Sequence, residues 1–208
     1  MLNIAVLVSG GGTNLQSLIN SIENGTIKNG RITSVIASRE GVFALERAKK
    51  HNIQSYVVAR KEYKDLEAYG QAMLEVLKAT NTDLVVLAGF LSILSKQVTD
   101  AFPNKIINIH PALIPAFCGD GCYGLKVHEA VLKYGVKVTG ATVHFVNEVT
   151  DGGAIILQKA VDVLQNDTPE SLQQRVMQQA EWELLPKAVS LFCDGKIPVE
   201  NGRVYIKE

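Results

Sequence analysis

The sequence predicts an α/β fold of the Rossmann-like class: a mostly parallel central sheet with helices on both faces. Three observations predict it. Short, continuously apolar runs, of which residues 2–8 are the first, are typical of strands buried on both faces. Amphipathic segments of helical length alternate with these runs. A glycine-rich loop joins the first apolar run to the first amphipathic segment, as in α/β folds that bind phosphate groups.

The first half of the chain alternates strands and helices. Residues 2–8 are bounded by glycine, and the next segment places Leu15, Leu18, Ile19 and Ile22 on one helical face before Gly25 ends it. The same alternation predicts the following elements: strands at 32–38, 53–58 and 83–88, and helices at 43–51 and 65–80.

The second half continues the pattern. A short helix at 95–102 leads into a strand at 106–109, and Pro111 forbids further pairing. The other expected elements are a helix at 125–134, strands at 136–146 and 154–161, a last long helix opened by Pro169 with Thr168 or Asp167 as its N-cap, and a hairpin at 197–206 turned at Asn-Gly. No repeat or linker interrupts the 208 residues, so we expect a single domain over 1–208.

Charge balance and cysteine content narrow the functional class. Lys+Arg and Asp+Glu both number 21, so no net field favours nucleic acid, and we expect small-molecule partners with the chain as a monomer or homodimer. No apolar run reaches membrane-spanning length and residues 1–8 lack a basic leader, so we expect a cytoplasmic protein without membrane contact. Cys118, Cys122 and Cys193 are expected to be free thiols, and no metal site is expected.

The glycine loop Ser9-Gly10-Gly11-Gly12-Thr13-Asn14 is a candidate anion site. A strand, a glycine loop and a helix aim backbone N–H groups at an anion, and Thr13 and Asn14 can add side-chain donors. The Gly-Lys-Ser/Thr of a P-loop is missing, and Leu15 stands where a dinucleotide fingerprint has its third glycine. We therefore expect one compact phosphate, such as a phosphoribosyl group; a purely structural tight turn is the alternative.

Asn108 and His110 form a second candidate site. Residues i and i+2 of a strand point to the same side, so this amide and imidazole can face one pocket. A structural hydrogen-bonding corner is the alternative interpretation. The apolar loop at 89–94 follows the fourth strand and is either core cover or the wall of a pocket for a flat aromatic ligand. His51 and His128 are expected on helix surfaces.

Asn108, His110 and Asp151 together have the parts for acyl transfer to an amine. The amide and a protonated imidazole can donate to a developing oxyanion. A carboxylate with a water beside the imidazole can move the proton of the attacking amine. Asp151 is also expected to keep His110 protonated, because an opposite charge favours the imidazolium. Taken by itself, Asp151 before two glycines is a common turn residue, and His144 is either a satisfied sheet histidine or a partner of the site.

Four motifs together resemble the phosphoribosylglycinamide formyltransferases, a family within the folate-dependent formyltransferase superfamily. They are the glycine loop, Leu-Ala-Gly-Phe at 87–90 with Ile-Leu-Ser at 93–95, Asn-Ile-His-Pro-Ala-Leu-Ile-Pro at 108–115, and Thr-Val-His-Phe-Val at 142–146 running to Asp-Gly-Gly at 151–153. The resemblance extends from the first strand to about Cys193. The superfamily shares the Asn-x-His-Pro segment, and the N-terminal glycine loop narrows the resemblance to this family.

The resemblance implies a formyltransferase fold and an enzyme of purine biosynthesis. It would move a formyl group from its co-substrate 10-formyltetrahydrofolate to the amine of glycinamide ribonucleotide, without a metal. The implied site residues are Asn108, His110 and Asp151 for catalysis, Gly11, Gly12, Thr13 and Asn14 for the phosphate, Glu181 for the ribose, and Leu91, Ser92, Ile93, Leu94, Asn108, Asn147, Glu148, Val149, Thr150 and Asp151 for the folate, with Lys64 as its basic contact. The N-terminal part would bind phosphate and the C-terminal part folate.

The chain departs from the family pattern in several places. The loop at 118–124 is longer, and the helix at 175–186 holds one extra residue. Trp182 follows Glu181 where histidine is usual, and Leu66 stands where the register puts the basic folate contact. Alternative functions are another folate-dependent formyltransferase, acting on methionyl-tRNA or an amino sugar, and a non-catalytic nucleotide-binding protein of the same class. A tRNA enzyme would need a basic face and a further domain, and the broken glycine fingerprint disfavours a dinucleotide.

Overall fold

A computed structural model describes residues 1–207 and confirms the predicted fold class. Within these residues a seven-stranded sheet has the strand order β3-β2-β1-β4-β5-β6-β7, parallel from β3 to β5 and antiparallel at β5/β6 and β6/β7. The strands are β1 Leu2–Val8, β2 Gly30–Ala37, β3 Gln54–Val57, β4 Leu84–Leu87, β5 Ile106–His110, β6 Val138–Phe145 and β7 Ile155–Asp162.

Helices connect the strands, and each lies where the sequence predicts one, to within a few residues. They are α1 Thr13–Glu23, α2 Phe43–Lys50, α3 Leu66–Ala79, α4 Lys96–Ala101, α5 Leu125–Tyr134, α6 Pro169–Val176 and α7 Trp182–Cys193. A two-stranded ribbon follows, with β8 Val199–Glu200 and β9 Arg203–Val204. In the part of the chain described here, no helix combines the length and apolarity needed to cross a bilayer.

The sheet separates two apolar clusters, one on each face. Alternate residues of β1 divide between them: Ile4, Val6 and Val8 pack on one side, and Ala5 and Leu7 on the other. This division is the period of two expected for a strand buried on both faces, and it explains why β1 is apolar at nearly every position. The helices therefore cover both faces, as predicted.

The strand order reverses next to β1, and the site forms there. The chain runs outward from β1 to β3 and then returns to place β4 on the opposite side of β1. The loops that leave β1 and β4 consequently diverge, although they remain joined where the Ser9 N–H donates to the Gly89 carbonyl at 3.1 Å. Open α/β sheets bind ligands in the crevice beyond the carboxyl ends of such strands.

The structure corrects one prediction about the helices and explains another. His128 is fully buried in α5, at 0% exposure, so its expected position on a helix surface is wrong. The long C-terminal helix contains a π-helical segment, Met177–Glu181, between α6 and α7. A π turn holds one more residue than an α turn, so the extra residue inferred at 175–186 is accommodated there.

The close approach of β6 and β7 predicts a cost for a side chain at Gly140. A Cβ built there would lie 2.0 Å from the Lys159 carbonyl oxygen and 2.8 Å from the Leu113 Cδ2. We expect Gly140→Ala to lower the free energy of unfolding by about 1–3 kcal/mol, because the backbone of β7 must move to relieve the overlap. Urea denaturation would measure it. Gly10→Ala is the matched control, since its Cβ would meet nothing within 4 Å; equal losses in both variants would contradict the overlap.

Candidate active site

One cavity of about 640 Å³ opens at the carboxyl edge of the sheet, a volume typical of small-molecule sites. Four loop regions and three strand residues line it: 9–14, 87–94, 119–124, 146–151, Asn108, His110 and His144. Almost every residue implied by the resemblance is among them. The exception is Lys64; Glu181 lines the cavity as well, and Asn14 lines it although its side chain bonds to Glu181.

The glycine loop presents the start of α1 to the cavity. Gly12 adopts a left-handed conformation (φ 71°) as the N-cap, and no side chain of the described residues caps the helix. The first backbone bond of the helix runs from the Gln16 N–H to the Gly12 carbonyl, which leaves the preceding N–H groups to an anion. Arg47 holds the loop from outside, donating from Nε to the Gly11 carbonyl at 2.8 Å.

The side chain of Asn14 is not directed at an anion. Its Nδ2 donates to Glu181 Oε2 at 2.7 Å, and its Oδ1 is buried without a partner among the described residues. Burial raises the pKa of Glu181 to about 7, and the bond from Asn14 opposes that rise. The expected phosphate donation by this side chain is therefore replaced by a link between the glycine loop and Glu181, which leaves the backbone N–H of Asn14 for the anion.

The pairing of β5 with β6 fixes the orientation of the Asn108 amide. Asn108 lies opposite His144 in this antiparallel pair. The Nδ1 of His144 lies 2.7 Å from the Phe145 carbonyl, which can only accept, so Nδ1 carries a hydrogen. Its Nε2 lies 3.1 Å from Asn108 Nδ2 and can accept one of the two amide hydrogens. The second amide hydrogen stays available to a ligand, so His144 is a partner of the site.

His110 is held between a carbonyl and a carboxylate. Its Nε2 donates to the Phe117 carbonyl at 2.9 Å, and its Nδ1 lies 3.6 Å from Asp151 Oδ2. Burial lowers the pKa of His110, and the opposing effects of Asp151 and the Phe117 carbonyl do not cancel this effect. The expectation that Asp151 keeps this ring protonated is therefore wrong for the free protein: with only 4% exposure, desolvation outweighs the charge.

Asp151 lies where three groups converge on its carboxylate. Oδ2 accepts from the Gly119 N–H at 2.9 Å, and Oδ1 lies 3.5 Å from His144 Nε2. Burial by itself would raise the pKa of Asp151, but the contacts with His144, Gly119 and His110 outweigh it and hold the pKa below its usual value. Asp151 is consequently an anion at neutral pH, beside a neutral His110.

The apolar loop after β4 forms a wall of the cavity. Leu91 and Ile93 are 54% and 67% exposed, which excludes the core-cover interpretation. The loop is attached to the glycine loop, because the Leu91 N–H donates to Ser9 Oγ at 2.9 Å. Val149, 59% exposed, belongs to the segment 146–151 that also lines the cavity. These side chains provide apolar contact area for a flat ligand, with loop backbone groups available to its polar edge.

The cavity lining differs from the predicted set at a few positions. Lys64 does not line the cavity, and its ammonium lies 3.7 Å from the carboxylate of its neighbour Asp65. Sequence reasoning missed Arg39, Gln173 and Met177, all of which line it. Arg39 follows β2 in the place where a dinucleotide fold has its acidic residue, and this position was the available signal. No group of three His, Cys, Asp or Glu residues within 1–207 is arranged to hold a metal ion.

Comparison with known proteins agrees with the family resemblance found in the sequence motifs. A model of the family described as formyl transferase matches residues 2–189. The chain is 36% identical to the phosphoribosylglycinamide formyltransferase of Haemophilus influenzae, over 99% of this chain and 94% of that protein. It is 44% identical to the trifunctional purine biosynthetic protein adenosine-3 of Bos taurus over 97% of this chain, and it spans 19% of that protein.

A crystal structure shares the fold over the whole chain. Glycinamide ribonucleotide transformylase 1 from Symbiobacterium toebii superposes with a TM-score of 0.94 at 41% identity, covering 100% of this chain and 95% of that one. These matches confirm the resemblance drawn from the motifs. On the family match, the identities and the shared fold, this chain belongs to the formyl transferase family.

Proposed function

We propose that this chain transfers a formyl group from 10-formyltetrahydrofolate to the amine of 5-phosphoribosyl-glycinamide, a step of de novo purine (IMP) biosynthesis. One observation carries the proposal: Asn108, His110 and Asp151, linked through His144, share one cavity with the glycine loop at the start of α1 and with the apolar loop after β4. Relatives that carry the name of this activity, and that the chain covers almost completely, support it.

The glycine-loop end of the cavity suits the phosphoribosyl group. Backbone N–H groups at the start of α1 would hold the phosphate, with Arg39 adding positive charge at the rim. Glu181 lies one hydrogen bond away from Asn14 of the glycine loop and lines the same cavity, so its carboxyl would bind the ribose hydroxyls beside the phosphate. The glycinamide amine would then extend from this end toward His110.

The opposite end suits the folate. The pterin ring would lie against Leu91 and Ile93, and loop backbone groups at 91–94 and 147–151 would bind its polar edge. The folate supplies the formyl group when it is bound. Lys64, the basic folate contact that the resemblance implies, is solvent-exposed outside the cavity lining, so its contact with the folate tail stays a prediction.

The three polar side chains can then divide the chemistry. As the amine nitrogen bonds to the formyl carbon, the formyl oxygen gains negative charge, and the free amide hydrogen of Asn108 can donate to it. Asp151, ionised and buried, can take the amine proton through a water. His110 enters neutral and can receive this same proton from Asp151 and the water; while it holds the proton, it is a second donor whose charge Asp151 stabilises. The proton finally passes to the nitrogen that leaves the formyl carbon, so the step balances without a nucleophilic side chain.

The alternative substrates are less well supported. The balanced charge of the chain gives no net attraction to a tRNA, and the absence of the third glycine at Leu15 disfavours a dinucleotide. An amino-sugar substrate would not need the anion site at α1.

We also propose that residues 1–208 act as one catalytic unit, as a monomer or homodimer, because one cavity joins the phosphate and folate ends. The unpaired thiols of Cys118, Cys122 and Cys193 favour a reducing cytoplasm.

Formyl transfer from 10-formyltetrahydrofolate tests the proposed function directly. We expect the purified chain to formylate glycinamide ribonucleotide with this donor and not with formate plus ATP, because the glycine loop lacks the lysine of a P-loop. Release of tetrahydrofolate followed spectroscopically, with mass analysis of the product, is the measurement. Formylation by formate plus ATP, or none with the folate, would overturn the proposal.

Removing the ionisable groups at the centre of the site predicts a loss of turnover. Asp151→Asn and His110→Ala should each lower kcat by on the order of 10²-fold or more, because proton transfer and oxyanion stabilisation depend on them. Steady-state kinetics with circular dichroism would separate catalysis from folding. Glu129→Gln, an exposed carboxylate changed to an amide on α5, is the control. Near-normal turnover in either site variant would contradict the assigned roles.

The anion site predicts a strong preference for the phosphorylated substrate. Charge-assisted hydrogen bonds to the helix N-terminus are lost with the phosphate, so the dephosphorylated substrate should bind about 10- to 100-fold more weakly. Isothermal titration calorimetry with both compounds would measure the ratio. Equal affinities would show that the glycine loop is a structural turn.

A further inference from the structure

The loop at residues 117–124, here called the strap, crosses the cavity between β5 and α5. It is the segment that is longer than the family resemblance leads one to expect, and most of it lines the cavity. Gly119, Gly121 and Gly124 all have positive φ, at 91°, 84° and 55°, so the strap follows a path that other residues rarely adopt. Its backbone reaches both ionisable groups of the proposed catalytic trio.

The strap contacts His110 through the Phe117 carbonyl. This carbonyl accepts from His110 Nε2 at 2.9 Å, which leaves Nδ1 as the nitrogen that faces Asp151. The Phe117 backbone has φ 50°, and its ring packs edge-on against Tyr134 at 5.9 Å between centroids. The carbonyl is therefore held in place by side-chain packing on α5.

The strap contacts Asp151 through a backbone N–H and is fastened beside it. The Gly119 N–H donates to Asp151 Oδ2 at 2.9 Å. The adjacent residue, Asp120, accepts through Oδ1 from Thr150 Oγ1 at 2.9 Å. Because Thr150 precedes Asp151 in the chain, this side-chain bond joins the strap to the loop that carries the carboxylate.

We propose that the strap is a positioning element for the formyl-transfer reaction, and that the Asp120–Thr150 hydrogen bond is the latch that keeps the Gly119 N–H on Asp151 and the Phe117 carbonyl on His110. The effect of the strap on turnover rests on the proposed function. Its effect on the contacts of Asp151 and His110 rests on the geometry alone. Asp120 and Thr150 would act through Gly119 and would not touch the reacting atoms.

Opening the latch has a definite electrostatic consequence. The Gly119 N–H stabilises the ionised form of Asp151, so its loss moves the pKa of that carboxyl upward. The other titratable groups facing Asp151 are His110 from β5, His144 from β6 and Cys118 from the strap itself. His110 and His144 lie on strands and stay in place when Asp120 is changed, whereas Cys118 moves with the strap as the Gly119 donor is lost.

The two substitutions Asp120→Ala and Asp120→Asn form a matched pair. Both remove the charge of Asp120, but only asparagine keeps an Oδ1 acceptor for Thr150. We expect Asp120→Ala to move the acid limb of the kcat–pH profile upward by about half a unit or more and to lower kcat about 5- to 10-fold at its acid end. The KM for glycinamide ribonucleotide, bound at the glycine loop, should change little. Asp120→Asn should keep the acid limb of the kcat–pH profile where the unmodified chain has it, and Thr150→Val should resemble Asp120→Ala in that profile.

A measurement on the free protein separates the strap from the proposed function. NMR titration of the Asp151 carboxyl, with hydrogen exchange at the Gly119 amide, should show a raised pKa and faster exchange in Asp120→Ala and neither change in Asp120→Asn. If formyl transfer is absent but these shifts occur, the proposed function fails and the strap's structural role stands. Identical pKa values and exchange rates in Asp120→Ala and the unmodified chain would overturn the strap proposal.

Discussion

The antiparallel pairing of β6 with β5 is the constraint on which the site depends. In this register Asn108 lies opposite His144 and His110 opposite Thr142, so two histidines and the amide share the end of the sheet. The hydroxyl of Thr142 donates to the Ala112 carbonyl at 2.7 Å and accepts from the Ile114 N–H at 3.1 Å, which holds the chain that leaves His110. A slip of one residue would turn His144 to the opposite face and leave Asn108 without its partner.

The ionisable groups His110, Asp151 and Glu181 differ in charge state because burial and local contacts shift their pKa values differently. His110 loses its proton more readily because it is desolvated, whereas burial by itself would raise the pKa of Asp151, but the contacts with His144, Gly119 and His110 outweigh burial and keep Asp151 ionised. Glu181 has a pKa of about 7 because its single close partner, Asn14, only partly offsets burial. A neutral base, an anion and a carboxyl near its titration point thus occupy one cavity, and their environments set their roles.

The fold was largely predictable, because each strand of a doubly covered sheet must be apolar on both faces and each helix must bury one stripe. The sequence predictions failed for residues whose position or partners depend on side-chain contacts in the folded protein. His128 lies three residues before the buried Val131, on the apolar stripe of α5, but from the sequence its polar ring is interpreted as solvent-exposed. Asn14 follows a glycine loop as a phosphate donor would, yet a carboxylate from 167 residues away takes its amide.

The sequence by itself determined the α/β class, the position of the glycine loop and the candidates Asn108, His110 and Asp151, because strand periodicity, glycine placement and residue chemistry are local properties. Tertiary structure alone decided that Asp151 reaches both histidines, that burial lowers the pKa of His110, that Lys64 lies outside the cavity lining, and that the strap contacts the carboxylate. These outcomes depend on desolvation and on distances between residues far apart in the chain. Both desolvation and these distances are set only by the folded arrangement of the sheet and its loops.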